Sequence, residues 1–166
     1  MNDRIEFAII RSGGNERLCY KSGTAFVDVN MPMQAFTEGE DVFDVTPPDF
    51  SYRTRTYEYR GRQVRVEPCF YENGWLAICV VNPADEEDNE ILTVNLEQMD
   101  AIGLPARTFV DCNNQPEALE FLTKNKFATA SGYQRTSGFV AYPMVNVDLV
   151  RLYQHKPEAF QNANIL

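Results

Sequence analysis

Thr108-Phe-Val-Asp-Cys-Asn-Asn-Gln-Pro-Glu-Ala-Leu-Glu-Phe-Leu-Thr123 carries the best-marked strand-to-helix joint in the chain. Thr108, Phe109 and Val110 are β-formers, and Asn113-Asn114 breaks the strand. Asn114 is placed to cap a helix, with Glu117 three residues on to complete a capping box. Pro116 falls in the first turn, where its missing N–H costs nothing, and Glu117 and Glu120 suit the positive end of the helix dipole. Ala118, Leu119, Phe121 and Leu122 supply an apolar stripe, and Lys124 and Lys126 suit the negative end. A core helix is therefore expected behind a strand. The joint by itself specifies no reaction.

Outward from this joint, strands dominate. Towards the C-terminus, Ala128 to Gly138 is small and polar and reads as a loop. Phe139 to Val145 reads as an edge strand, because Pro143 cannot donate to a central ladder. Asn146 is expected to cap a closing helix from Val147 to about Gln154, followed by a last turn over 158–161. Towards the N-terminus, Ile91 to Leu96 reads as a strand and Glu97 to Leu104 as a helical turn. The run Asp85-Glu-Glu-Asp-Asn-Glu90 reads as an acidic loop. Trp75 to Val81 is continuously apolar, as in a central strand covered on both faces. Tyr52 to Tyr59 and Arg62 to Tyr71 read as a hairpin about Arg60-Gly61, and Asn73-Gly74 marks the strongest two-residue turn. Ile5–Ile10, Leu18–Tyr20 and Thr24–Val29 are three further short strands. The sum is α+β: an antiparallel sheet of hairpins with two to three short helices packed on one side.

Residues 34–51 mix five acids with Pro47-Pro48 and read as an irregular connection. They divide the chain into a β-rich N-terminal extension, 1–50, and a main α+β domain, 51–166. Whether the first packs on the second is left open. An echo between Phe26-Val-Asp-Val-Asn30 and Phe109-Val-Asp-Cys-Asn113 is read as recurring turn chemistry instead of duplication, since true repeats echo over longer spans.

The 166 residues, 44 % apolar and 12 % aromatic, suffice for a proper core. No apolar run is long enough to cross a membrane as a helix, and Met1 to Phe7 lacks the basic-then-apolar pattern of a secretion signal. A net charge of −9 opposes wholesale affinity for nucleic acid or anionic lipid. Cys19, Cys69, Cys79 and Cys112 show no Cys-x-x-Cys spacing and His155 is the single histidine, so no metal site is expected. With Asn73-Gly74 as a two-residue turn, Cys69 faces Ile78 and Cys79 faces Pro68. The two thiols then lie on opposite faces of the sheet and cannot bridge without a register slip. Reduced thiols in a cytoplasm are expected.

For chemistry, Cys112 is the candidate thiol, because a helix N-terminus just after it can lower a thiol pKa. Asp111 beside it acts the other way, and no base is near in sequence. His155 reads as a cation at a helix end. Gly13-Gly14 lacks the ending of a phosphate loop, and one histidine cannot be assembled into a serine triad. No catalytic residue and no cofactor is expected. The arginine run is the stronger signal. Arg53, Arg55, Arg60, Arg62 and Arg65 are five of the chain's fifteen cations. With Arg60-Gly61 as the turn, Tyr59 faces Arg62 and Tyr57 faces Val64, and one face carries Arg53, Arg55, Tyr57, Tyr59 and Arg62. Such a face suits a protein interface, or stacking and phosphate contact with a nucleic acid. It is equally compatible with tyrosines packed inward and arginines paired to the acidic run at 85–90.

The series Tyr59-x-Gly61-x-x-Val64, Asn73-Gly74-x-Leu76, Leu92-Thr-Val-Asn-Leu96, Phe109-Val-Asp-x-Asn-Asn114 with Glu120-Phe-Leu122, and Ser137-Gly-Phe-x-x-Tyr-Pro143 resembles an uncharacterised bacterial family, domain of unknown function 4313. The resemblance covers about residues 52–160. It implies a setting in conjugative and other mobile elements of gut anaerobes, and assigns no activity to any position. The resulting expectation is a cytoplasmic, non-catalytic binding or accessory protein acting on a protein partner. The alternatives are a nucleic-acid-associated protein using the same hairpin and a thiol enzyme centred on Cys112.

Overall fold

The computed structural model describes residues 4–96 and 106–162. The helical turn expected over 97–104 lies outside them. Among the described residues, thirteen strands form three antiparallel sheets. The first sheet holds β1 (Phe7–Ser12), β2 (Asn15–Ser22), β3 (Ala25–Asp28), β4 (Ala35–Thr37) and β5 (Asp44–Thr46), in the order β4-β3-β2-β1-β5. The second runs β6 (Tyr57–Tyr59), β7 (Arg62–Phe70), β8 (Leu76–Asn82), β9 (Asp85–Ile91) in chain order. The third holds β10 (Thr93–Val94), β11 (Arg107–Val110), β12 (Ala128–Ser137) and β13 (Val140–Val147), in the order β10-β11-β13-β12. Two α-helices are described, α1 (Ala118–Lys124) and α2 (Leu149–His155), with 3₁₀ turns at Phe50–Thr54 and Pro157–Asn162. The class is α+β, with strands predominating.

One core joins the first sheet to the rest. Ile9, Leu18 and Val29 are buried in the same cluster as Val66, Ile78, Leu92, Val110, Leu122 and Leu152. Each such side chain removed from water contributes roughly 1.5–3 kcal/mol. Polar ties cross the same boundary: Asn30 Oδ1 accepts from the Ala106 N–H at 3.0 Å, and Gln161 pairs with both backbone groups of Ile5. Residues 4–50 therefore pack on the remainder of the chain.

Several elements differ from the sequence reading, each for a local reason. The segment 34–51 contributes two short strands, because β5 pairs with β1 and β4 with β3. The strand expected from Tyr52 begins only at Tyr57. Asp49 accepts from the backbone N–H and hydroxyl of Ser51 and starts a 3₁₀ turn, so capping chemistry prevails over alternation. The acidic run 85–90 is a strand, not a loop: β9 pairs with β8, and arginines from β7 sit against its carboxylates. Residues 128–137 form a long strand in place of the expected loop. Its partner β13 is central and not an edge strand. Pro143 is tolerated there because pairing with β11 stops at Met144 and β12 bulges between Ala130 and Gln134.

The helix caps also move. Asn114 does not cap α1; its N–H and side-chain amide donate to the Asp111 carboxylate, and Glu117 holds the cap position with no side-chain bond. For α2 the cap is Asp148, which accepts from the Arg151 N–H, and not Asn146. Asp28 closes the turn after β3 as Asp111 closes the one after β11, accepting from Asn30 and Met31. The two echoed segments thus share an aspartate-anchored turn, the recurring turn chemistry expected.

Candidate functional site

The arginine–tyrosine hairpin has the expected register: Tyr57 pairs with Val64 and Tyr59 with Arg62. The turn at Arg60-Gly61 has positive φ at both residues, 53° and 77°, as the tight turn of a twisted hairpin needs. The expected exposed face does not form. Tyr59 is 2 % exposed, its ring stacks edge-on to Phe121 at 4.9 Å, and its hydroxyl donates to Gln115 Oε1 at 2.6 Å. Tyr57 is 9 % exposed and packs edge-on to Phe127 at 5.1 Å. The arginines turn the other way, to β9. Arg62 meets Asp88 at 3.2 Å and Glu90 at 3.8 Å, Arg60 meets Glu90 and Glu117 at 3.8 Å, and Arg65 meets Glu86 at 3.3 Å. Alternation puts Arg65 on the face opposite Val64 and Val66, whereas Arg62 shares the face of its partner Tyr59 and reaches β9 from the end of the hairpin; the core takes the tyrosines.

The two remaining candidates, Arg53 and Arg55, belong to a different surface. The 3₁₀ turn carries them alongside α2, where Arg53 pairs with Glu158 at 3.1 Å. Arg53 also sits 5.7 Å over the ring of Phe50, which is 59 % exposed. The Arg55 guanidinium lies 4.1 Å over Tyr52, and Arg151 of α2 approaches the same ring at 5.4 Å. Neither Arg55 nor Arg151 forms an ion pair among the described residues; Asp49 senses Arg55 only at longer range.

Beneath this ledge lies a polar cluster. The Tyr57 hydroxyl is 2.7 Å from His155 Nε2, and Arg151 Nη2 donates to the same hydroxyl at 3.3 Å. His155 Nδ1 is 2.7 Å from the Arg151 carbonyl, so it is the protonated nitrogen, and Nε2 accepts from the phenol. Burial depresses the His155 pKa, and the Arg151 and Arg55 charges add to that against the pull of the carbonyl bond. His155 is thus a neutral, buried ring and not the helix-end cation expected. Burial raises the Tyr57 pKa, opposed by Arg151 and Arg55. Arg151 is held chiefly by aromatic faces: Phe127 lies at 5.0 Å, and its Nε is buried without a hydrogen-bond partner.

Cys112 is half-buried, and its thiol donates to the Ala141 carbonyl at 3.4 Å. The helix begins at Ala118, so the thiol does not sit at its N-terminus as expected. Among the described residues, no three of His, Cys, Asp and Glu converge as metal ligands would. The open clefts include two of similar size. One of about 310 Å³ is lined by Arg17, Asp28, Asn30 and Asp148; the other, about 280 Å³, lies along α1 by Tyr59, Arg60, Glu117 and Lys124.

Phe50, Tyr52, Arg151 and His155 were not singled out as a group by sequence. The available signal was the Arg151/His155 spacing of four on one helix, which places both on one face. What joins them to Tyr57 is closure of the chain over 98 residues.

These features define an α+β fold of three antiparallel sheets around one principal core with two smaller apolar clusters, and a basic aromatic ledge over a closed Tyr–His–Arg cluster. Residues 65–165 match the family described as Domain of unknown function (DUF4313), and the chain belongs to that family. The match begins at Arg65, so Arg53, Arg55, Tyr57, Tyr59 and Arg62 precede it while Arg151 and His155 fall within it. No curated protein and no solved structure matches the chain.

Proposed function

We propose that this is a non-catalytic binding protein, an accessory factor of a mobile genetic element, which engages a protein partner through the ledge of Phe50, Tyr52, Arg53, Arg55 and Arg151. The carrying observation is the pair of guanidiniums at Tyr52 that lack a carboxylate among the described residues. Arg60, Arg62 and Arg65 all have one. Arginine and aromatic side chains are the residue types that dominate binding energy at protein interfaces. A partner presenting carboxylates beside an aromatic or aliphatic anchor matches this chemistry. The mobile-element setting rests on the motif resemblance alone.

The nucleic-acid reading draws on the same stack, since bases lie on tyrosine and guanidinium planes. It has fewer cations to work with, because three hairpin arginines are already neutralised and the net charge is −9. The thiol-enzyme reading has only Cys112 and a carbonyl beside it.

A photo-crosslinking side chain placed at Phe50 and activated in the native host tests the proposal, with one at exposed Glu87 as control. A protease-sensitive adduct specific to position 50 is expected. A nuclease-sensitive adduct, or retardation of single-stranded DNA at low salt, would transfer the ledge to nucleic acid. Identical patterns at both positions would remove it from consideration.

A further inference from the structure

The turn at Asn73-Gly74 is a three-residue loop, not a two-residue one. The Tyr71 N–H donates to the Trp75 carbonyl at 2.9 Å, enclosing Glu72-Asn73-Gly74, and Gly74 takes φ of 86°. That one-residue difference moves every pair in β7–β8. Cys69 lies opposite Ala77 and Cys79 opposite Glu67. The two cysteines are therefore diagonal neighbours on one face, which corrects the expectation that they point apart. Diagonal positions in a sheet are usually too far apart for short side chains to meet. Here the two Sγ atoms stand 2.7 Å apart, against about 2.05 Å for a covalent S–S bond.

We propose that Cys69 and Cys79 form a reversible dithiol–disulfide pair that exchanges with low-molecular-weight disulfides of the glutathione type. This site is independent of the basic ledge. The roles of the two thiols differ. Cys79 is 9 % exposed and Cys69 is half-buried, so the incoming disulfide reaches Cys69. The two thiols share a hydrogen bond, and with the nearby Lys156 ammonium it draws the Cys69 pKa below its ordinary value. The same hydrogen bond, with burial, pushes Cys79 up. Lys156 is held in place by Glu67 at 3.1 Å.

The exchange runs in two displacements. The Cys69 thiolate attacks one sulfur of RSSR, forming Cys69–S–S–R and releasing RS⁻, which takes up a proton. Cys79 then loses its proton to solvent and attacks the Cys69 sulfur, forming the Cys69–Cys79 bond and expelling the second RS⁻. The protein dithiol is oxidised by two electrons and RSSR is reduced to two RSH. Neither other thiol has a partner for this. Cys19 is wholly buried with its pKa pushed up to about 12, and Cys112 faces a carbonyl.

The test treats the native full-length chain with oxidised glutathione, then alkylates and maps thiols by mass spectrometry. Expected are a chain lighter by two hydrogens, a single Cys69–Cys79 cross-linked peptide, alkylatable Cys112, and full recovery of both thiols with dithiothreitol. In Cys79→Ser the reaction stops at a stable glutathione adduct on Cys69, while Cys69→Ser takes up at least tenfold less at Cys79. Wild-type protein that keeps all four thiols, or that forms intermolecular dimers or a link involving Cys112, overturns the proposal whether or not the variants fold.

Discussion

The hydroxyl of Tyr57 on β6 and Nε2 of His155 at the end of α2 stand 2.7 Å apart, and their rings pack at 5.6 Å. The bond joins the hairpin to the closing helix inside the core. The phenol donates to the imidazole and accepts from Arg151, so one oxygen satisfies two neighbours. Tyr57→Phe leaves both without that partner in a buried site. An unfolding free energy lower by about 1–3 kcal/mol is expected from denaturant titration. Tyr133→Phe, at a residue 46 % exposed, is the comparison and should stay within about 0.5 kcal/mol of wild type.

The same pair sets a pH dependence. The His155 pKa in the folded chain lies below its ordinary value of 6.5, so the unfolded chain binds the proton more readily. A depressed folded value contributes stability that is fully present above pH 6.5 and is lost as the pH falls towards the folded pKa. The slope from this one group is at most about 1.4 kcal/mol per pH unit. Thermal unfolding between pH 7.5 and pH 5 should show wild type losing more stability than His155→Gln. Equal losses would mean that carboxylates alone drive the acid response.

What could be read from the chain, and what could not, divides along these contacts. The Arg60-Gly61 turn dictates its own register, so Tyr57–Val64 and Tyr59–Arg62 were correctly paired from sequence. Which face is buried is decided elsewhere, by His155 and Gln115 reaching the phenols and by β9 drawing off the arginines. A strand of composition Asp-Glu-Glu-Asp-Asn-Glu-Ile runs against β-propensity, and its ladder with β8 together with arginines offsetting its carboxylates hold it in the sheet. At Asn73-Gly74 the dipeptide announces a turn, but two- and three-residue loops both accept a glycine at positive φ. The sequence was silent on that choice, and one residue reversed the relation of Cys69 to Cys79.

The arginine–carboxylate contacts on β9 look numerous and should individually matter little. Arg62 is 49 % and Asp88 42 % exposed, so water and salt screen the pair. Asp88→Asn is expected to cost no more than about 0.5 kcal/mol in denaturant unfolding. Glu90→Lys differs, for it sets a cation against both Arg60 and Arg62 on an edge strand. It should cost more than Asp88→Asn, with the excess shrinking in 1 M salt. A cost that ignores salt would assign the effect to packing instead of charge.

Oxidation of Cys69 and Cys79 should register in stability as well as in mass. Chain-entropy reasoning gives a cross-link closing about 15 residues roughly 3 kcal/mol, and the shorter span from Cys69 to Cys79 somewhat less. Strain from bridging a diagonal pair subtracts further, because such positions lie near the long end of disulfide geometry. A domain of this size gains about 2–4 °C per kcal/mol, so oxidised protein should melt about 2–8 °C above reduced protein. The gain belongs to the unfolded state: the link spans β7 and β8, which are already paired in the fold. Its signature is a slower loss of signal with denaturant, since the cross-linked unfolded chain exposes less surface and the m-value falls. Cys69→Ser and Cys79→Ser should melt at the same temperature in oxidant and in reductant. A melting point that falls on oxidation of the wild-type chain would mean that the bond forms only by distorting the sheet.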